Sequence, residues 1–429
     1  RGEAEQEHGA GLRALADAQR GRDTAARELA AAESAVEQAE RRWPGHVPRG
    51  ERLTDERLRE LSAPWSDPEL SRARTEVFLA ALGVHEAFVR AVPGRMRKSL
   101  RAAMSVLSGE ARNAPDGAVR DALRALFLVV PVVSSTFASF PRLFKAFDAQ
   151  SLGWLLVDEA GQATPQQAVG ALWRSRRAVV VGDPLQLQPV TTLSLPAQQH
   201  LRGRFKVEDR WLPARASVQS LADSVTPLGT LLERGEGEPL WVGAPLRVHR
   251  RCDDPMFTVS NTVAYDGMMV YGTPEREEFP LPPSQWVHVP REDTGSPGHW
   301  REAEGRKLKW LLEGLQRYGH PMEDVFVLAP FRDVAQKAAK IARSHGVKRS
   351  GTIHTSQGKE ASVVVFVLGG SPFREGALEW ASKTPNLLNV AASRAKRRLY
   401  VIGDHTAWAG RHHFATLGRH LPRRSRADG

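Results

Sequence analysis

Cysteine is nearly absent: Cys252 is the single one in 429 residues. That excludes an internal disulfide and any cysteine-cluster zinc site, and it leads us to expect a reducing, cytoplasmic setting. No apolar run approaches the roughly 20 residues that a membrane-spanning helix needs, no secretory leader pattern is visible, and no membrane partner is expected. Acidic residues are outnumbered. Against 60 Lys and Arg stand 49 Asp and Glu, a formal charge of +11, which favours polyanionic partners and nucleic acid first among them. A basic surface that binds nothing is the plain alternative, so the motifs must decide. With 41% hydrophobic and 25% charged residues the composition is that of a globular protein, and the length allows two or three domains.

Residues 1–128 read as helical. Leu29, Ala32, Val36, Ala39 and Trp43 step by three and four, the spacing of a seam in an antiparallel helical pair or short coiled coil. Leu12 and Leu15 share the frame, Gln19 and Arg22 interrupt it, and Trp43-Pro44-Gly45 ends the helix. Further helices are expected near 51–63, 67–91, 95–108 and 116–127. The block shows no chemistry and reads as a helical insertion or stalk.

From residue 128 short apolar runs take over: Leu128–Ser134, Trp154–Val157, Ala178–Val181, Val325–Ala329, Val363–Leu368 and Leu399–Ile402. Continuous β-branched runs of this length suit strands buried on both faces, and helical patterns between them imply a parallel α/β sheet. The stretch 265–300, rich in Pro, Gly and charge, is expected to be an irregular connection. Two α/β units follow, 129–245 and 246–429, with no internal repeat.

Chemistry first appears at Trp154–Val157 followed by Asp158-Glu159-Ala160-Gly161-Gln162. Two carboxylates then sit at a strand's C-terminal tip, where open α/β sheets bind ligands. In a nucleotide hydrolase Asp158 would hold Mg²⁺ through water and Glu159 would orient and deprotonate the attacking water. A plain acidic helix start is the competing reading. One helix-length later comes Val179-Val180-Val181-Gly182-Asp183-Pro184-Leu185-Gln186. Gly182 and Pro184 impose a tight turn beside the carboxylates, from which the Gln186 amide could sense a γ-phosphate.

This pair resembles motifs II and III of superfamily 1 helicases, superfamily 1B in particular, closest to the branch that includes the nonsense-mediated-decay helicase. Further elements follow in the family's order. Leu246–Cys252 with Pro255 is similar to the family's Q-Y-R-M-x-P element and puts Arg251 at the γ-phosphate arginine, although His249 and Arg250 replace Gln and Tyr and one residue is added. Val325–Pro330 with Phe331 resembles the strand and turn that open the second motor domain. Thr352–Glu360 resembles motif V, which implies that Gln357, Gly358 and Glu360 face the nucleotide and Thr352 the nucleic-acid backbone. Asn389–Lys396 resembles motif VI, with Arg394 as the arginine finger and Ser393 where Thr is usual. Ser134-Ser135-Thr136 resembles a backbone-contacting motif and gives Ser135 and Thr136 as nucleic-acid contacts; a simple cap on the next helix is an equal alternative.

The resemblance covers residues 129–405 and implies an α/β fold of two RecA-like parallel-sheet domains preceded by the helical insertion. It implies ATP and Mg²⁺ as cofactors, single-stranded nucleic acid as partner (DNA ahead of RNA), and 5′ to 3′ movement. One part is missing. The phosphate loop G-x-x-x-x-G-K-[ST] does not occur, and the one Gly-Lys pair, Gly358-Lys359, belongs to motif V. In the family the loop precedes the acidic motif, so it is expected upstream in a longer protein, with these 429 residues alone hydrolysing ATP near background. The alternatives are a non-catalytic nucleic-acid- or protein-binding scaffold and a helicase fused to a nuclease held elsewhere.

Overall fold

A computed structural model describes residues 2–234, 237–291, 298–355 and 358–424. The chain divides into two units, residues 1–90 and 91–429. In the first, one helix runs from Gly2 to Arg42, as its Ala-, Glu- and Arg-rich sequence favours. Gly45, at φ 79°, turns the chain, and Glu40 Oε1 holds the turn by accepting from Gly45 N and pairing with Arg52, both at 3.0 Å. The single helix expected over 51–63 is two, Glu51–Thr54 and Glu56–Leu61, because Asp55 caps the second by accepting from Leu58 N. The helix Pro68–Ala91 follows. Leu29 and Val36 of the expected seam are exposed, and among the described residues no second helix of this unit covers them.

The second unit opens with helices Pro93–Ser108 and Asp116–Val129, packed on each other. Leu123, Phe140, Phe144, Phe147 and Ala171 form a small core, against which Leu152 and Leu155 of strand β1 (Leu152–Val157) rest. The helix Pro165–Arg174, started by a Thr164–Gln167 capping box and Pro165, leads to β2 (Ser175–Val180), which pairs with β1 in parallel. Among the described residues these two strands pair only with each other, and the part of this unit built around them is the first lobe. The strand expected over Leu128–Ser134 is not one: Val129 ends a helix, and residues 130–135 have no ladder partner among the described residues. The shortage of neighbours has a second effect. Trp154, Leu156, Val179 and Val181 are exposed, against the expectation of burial on both faces.

A hairpin, β3 (Gly229–Arg234) with β4 (Gly237–Gly243), and a short parallel pair, β5 (Val248–His249) with β6 (Val270–Tyr271), lead onward. The second lobe's strands are β7 (Gln285–His288), β8 (Val325–Ala329), β9 (Arg349–Thr352), β10 (Ala361–Val367), β11 (Ala395–Gly403) and β12 (Arg423–Arg424). They form one parallel sheet ordered β12-β7-β11-β10-β8-β9. β8 is buried throughout and β10 nearly so, under helices that supply Leu308, Leu312, Val334, Ala338, Leu388 and Val390. The irregular connection expected over 265–300 is corrected in part, since β6 and β7 lie within it. Gln285–His288 is too short to show a period; pairing with β11 makes it a strand, and buried Trp286 donates from its indole to Gly403 O at 3.1 Å. Leu185 and Leu187 of the first lobe enter the second lobe's core, so the two lobes meet through packed side chains. Among the described residues no single helix is long and apolar enough to cross a membrane.

Candidate nucleotide cleft

The strand tips of the first lobe are brought together by glycine. Val181 N donates to Val157 O at 2.8 Å and Ala160 N to Val181 O at 3.0 Å, so the β1–β2 ladder runs on into both loops. A Cβ on Gly182 would lie 2.7 Å from Gly161 N, and one on Gly161 would lie 2.7 Å from Asp183 O. Both positions therefore need glycine for close approach of backbone. Asp158 is exposed at the tip, with Oδ1 accepting from Glu159 N at 2.9 Å. Glu159 is half-buried at φ 53°, ψ 39°, a left-handed conformation that costs a non-glycine residue about 1–3 kcal/mol and collects at functional sites. Its Oε2 accepts from Gln162 Nε2 at 2.7 Å, which aims the carboxylate.

The turn after β2 is organised by Asp183. Its Oδ1 accepts from Leu185 N at 2.8 Å and its Oδ2 from Gln186 Nε2 at 2.9 Å. One N–H of the Gln186 amide is therefore engaged inside the turn. The Tyr265 hydroxyl also meets the Gln186 side chain, so in this arrangement the amide expected to sense the γ-phosphate is held inside the turn.

From the second lobe, Arg394 follows the helix Asn386–Ser393. It is buried at 3% exposure, and its Nε and Nη2 have no hydrogen-bond partner. Burial, then the charge of Arg251, pulls its pKa below the usual arginine value, while Glu159 and Glu360 oppose this. Those influences place carboxylates and guanidinium groups from both lobes in one neighbourhood. A buried guanidinium with two unanswered donors is costly alone and well suited to an anion. Arg251 Nε pairs with Glu360 Oε2 at 2.8 Å, and Lys396 Nζ lies 2.5 Å from Glu360 Oε1. The Lys396 hydrogen bond, reinforced by Arg251, holds the Glu360 carboxyl below its ordinary pKa against burial. Beside them opens a cavity of about 460 Å³ lined by Arg250, Arg251, Arg276, Glu360, Lys396 and Arg397, a cationic recess that admits phosphate.

His249 stands where the family has Gln, and it acts as a neutral acceptor: Nε2 takes the Cys252 N–H at 2.8 Å. Burial, helped by Arg251, pulls its pKa down to about 4. Cys252 is packed against the end of the Arg394-bearing helix, Sγ 3.4 Å from Ser393 O, and burial pushes its thiol up to about 12. It is an inert packing group.

The remaining expected residues divide. Gly358 lies at φ 65° with open space around it, so glycine serves conformation there. Gln357 lies outside the described residues. Thr352 ends β9, and its carbonyl accepts from Thr355 Oγ1 at 2.9 Å. Ser135 and Thr136 are exposed, and Thr136 Oγ1 accepts from Ser139 N at 3.2 Å, the local cap that the sequence equally allowed. The sequence reading missed Gln162, Lys396, Tyr265, Asn386 and Asn389. Four of them stood inside or beside recognised motifs; Tyr265 had no signal at all.

Residues 80–194 and 245–406 match two family models, each described as an AAA domain, and together they take in more than half of the chain. The chain is 24% identical over 336 residues to the DNA replication ATP-dependent helicase/nuclease DNA2 of Mus musculus, covering 70% of this chain and 29% of that protein. It is 24% identical over 285 residues to the DNA polymerase alpha-associated DNA helicase A of Schizosaccharomyces pombe, covering 64% of this chain and 41% of that protein. The chain thus spans less than half the length of these relatives. A solved complex of arterivirus nonstructural protein 10 (helicase) with DNA aligns over 60% of this chain and 41% of its own at 17% identity, with a TM-score of 0.30, too low to transfer geometry. The chain belongs to the superfamily 1 helicases.

Proposed function

We propose that this chain is the cleft-closing part of an ATP-driven helicase or translocase of superfamily 1B, moving 5′ to 3′ on single-stranded nucleic acid in the cytoplasm. DNA is favoured over RNA because the relatives named above are DNA helicases. The observation that carries the reading is Arg394, a buried guanidinium with two unanswered donors at the end of a helix that grips the Leu185–Gln186 turn. Glu159 takes the proton of the attacking water. Gln186 turns an N–H to the γ-phosphate when the phosphate arrives, and Arg394 and Arg251 neutralise charge as it develops there. Arg251 is shared with Glu360, so the arriving phosphate competes with that carboxylate. Asp158 is an exposed carboxylate suited to Mg²⁺ held through water, an ion that when bound offsets phosphate charge. Ser135, Thr136, Thr352 and the basic surface serve the strand's phosphates.

The reading requires a phosphate loop, which these 429 residues do not contain. We place it in a further part of the protein, on a strand that pairs with the open β1–β2 sheet and covers Trp154 and Leu156. The missing loop equally suits a non-catalytic scaffold, but decay would not be expected to spare Asp158, Glu159, Arg251 and Arg394 together. The deciding experiment is nucleic-acid-stimulated ATP turnover by the loop-bearing protein with Glu159→Gln beside it. The variant should lose about 10²–10⁴-fold. Undiminished turnover removes Glu159 from its role, and turnover at ordinary motor rates by residues 1–429 alone removes the need for the loop.

A further inference from the structure

We propose that Tyr265 is a positioning residue: its hydroxyl ties the γ-phosphate-sensing turn of the first lobe to the helix that presents Arg394, so that sensor and finger reach the phosphate as one unit. Tyr265 follows the helix Met256–Ala264 of the second lobe. Its hydroxyl donates to Asp183 Oδ2 and accepts from Asn389 Nδ2, the latter at 2.9 Å. Asp183 Oδ2 is the same oxygen that holds Gln186 Nε2. Asn389 is fully buried on the helix that runs into Arg394. From there Nδ2 also reaches Leu185 O at 3.0 Å, and Oδ1 accepts from Ser260 Oγ at 2.5 Å. One turn earlier, Asn386 Nδ2 donates to Gln186 O. The sensing turn is thus gripped at its carboxylate and at two carbonyls by the second lobe, and the tyrosine hydroxyl joins the carboxylate grip to the helix.

The tyrosine is itself fixed. Asn261 pins the following turn by exchanging hydrogen bonds with Met269, at 3.0 Å to its O and 2.9 Å from its N, and Met268 N donates to Tyr265 O at 2.9 Å. Burial and the Asp183 charge hold the phenol above its ordinary pKa, which keeps it protonated as a donor at neutral pH. A partly buried polar network of this kind sets geometry more than it adds stability. An ångström of misplacement at a reacting centre is expensive in rate.

The inference rests on the proposed motor function, so its test has two readouts. The first needs no ATP: hydrogen–deuterium exchange of the 429-residue chain with and without Tyr265→Phe, a change that keeps the ring and removes the hydroxyl. The amides of Gly182, Asp183 and residues 185–187 should exchange at least about tenfold faster while β10 and β11 are unchanged. Unaltered exchange in that turn overturns the proposal, as does faster exchange spread through the second-lobe sheet. The second is steady-state ATP turnover by the loop-bearing protein. Tyr265→Phe should lower kcat about tenfold with KM for ATP within about twofold, and Asp183→Asn added to it should cost little more. Fully additive losses, or a change confined to KM, overturn it. If the parent protein does not hydrolyse ATP at all, the motor function fails, and the exchange measurement still decides whether Tyr265 holds the turn.

Discussion

The two lobes facing the cleft are finished to different degrees. In the second, β8, β10 and β11 are flanked by other strands and covered by helices, and Val365, Phe366 and Leu328 are wholly buried. In the first, two strands pair only with each other among the described residues, and Trp154 and Leu156 are 60% and 67% exposed. Yet the chemistry is divided the other way. The half-built lobe holds the carboxylates Asp158 and Glu159 and the Gln186 turn, whereas the complete lobe supplies cations. A site at strand tips needs only the tips to be held, and glycine contacts between the two loops together with Tyr265, Asn386 and Asn389 hold them.

The comparison can be sharpened most strongly at its charged edge. Arg394→Lys should reduce nucleic-acid-stimulated turnover of the loop-bearing protein by about 10³-fold, because a point charge does not replace a planar fork buried with two donors to spare; turnover within a few-fold of the parent would deny the finger role. Next comes packing. Leu312→Ala, in the closed core at 0% exposure, should cost about 3 kcal/mol in urea denaturation of the 429-residue chain. Leu156→Ala, on the open face, should change stability by less than about 0.5 kcal/mol. Equal losses would break the contrast between the lobes.

The smallest effect concerns His249. Its folded pKa of about 4 lies below the ordinary 6.5, so the unfolded chain binds the proton more readily. The stability gained from keeping the ring neutral is complete above pH 6.5 and lost as pH falls from 6.5 through 4. His249→Gln keeps an acceptor for Cys252 N and removes the proton, so it should flatten that slope, by on the order of 1–2 kcal/mol at pH 4 once partial solvent access is allowed for. Denaturation midpoints measured at pH 4.5 and 7 check it, and an unchanged slope would assign the acid sensitivity to other groups.

Legibility followed the same division. Long helices were readable because their spacing repeats over several turns, and the ends at Arg42 and Ser108 fall within one residue of expectation. Strands with many apolar residues were readable too. β7 and β9 were not, since four residues carry no period and their identity lies in their neighbours. Leu128–Ser134 had the composition of a strand, but Leu128 and Val129 end a helix and residues 130–134 join no sheet among the described residues. At the site, Glu159, Arg251, Glu360 and Arg394 were named from motif order, while the pairing of Arg251 with Glu360 and the engagement of Gln186 by Asp183 were not.

The sequence by itself determined the family, the parallel α/β texture and the identities of the charged groups, because each of these is written in local spacing and in a fixed order of short motifs. Only the tertiary structure decided which donors remain free, that Asp183 rather than phosphate holds part of Gln186, and that Tyr265, 82 positions away from Asp183, closes the network. Those are properties of orientation and burial. They depend on where two lobes meet, and no spacing along a chain carries that information.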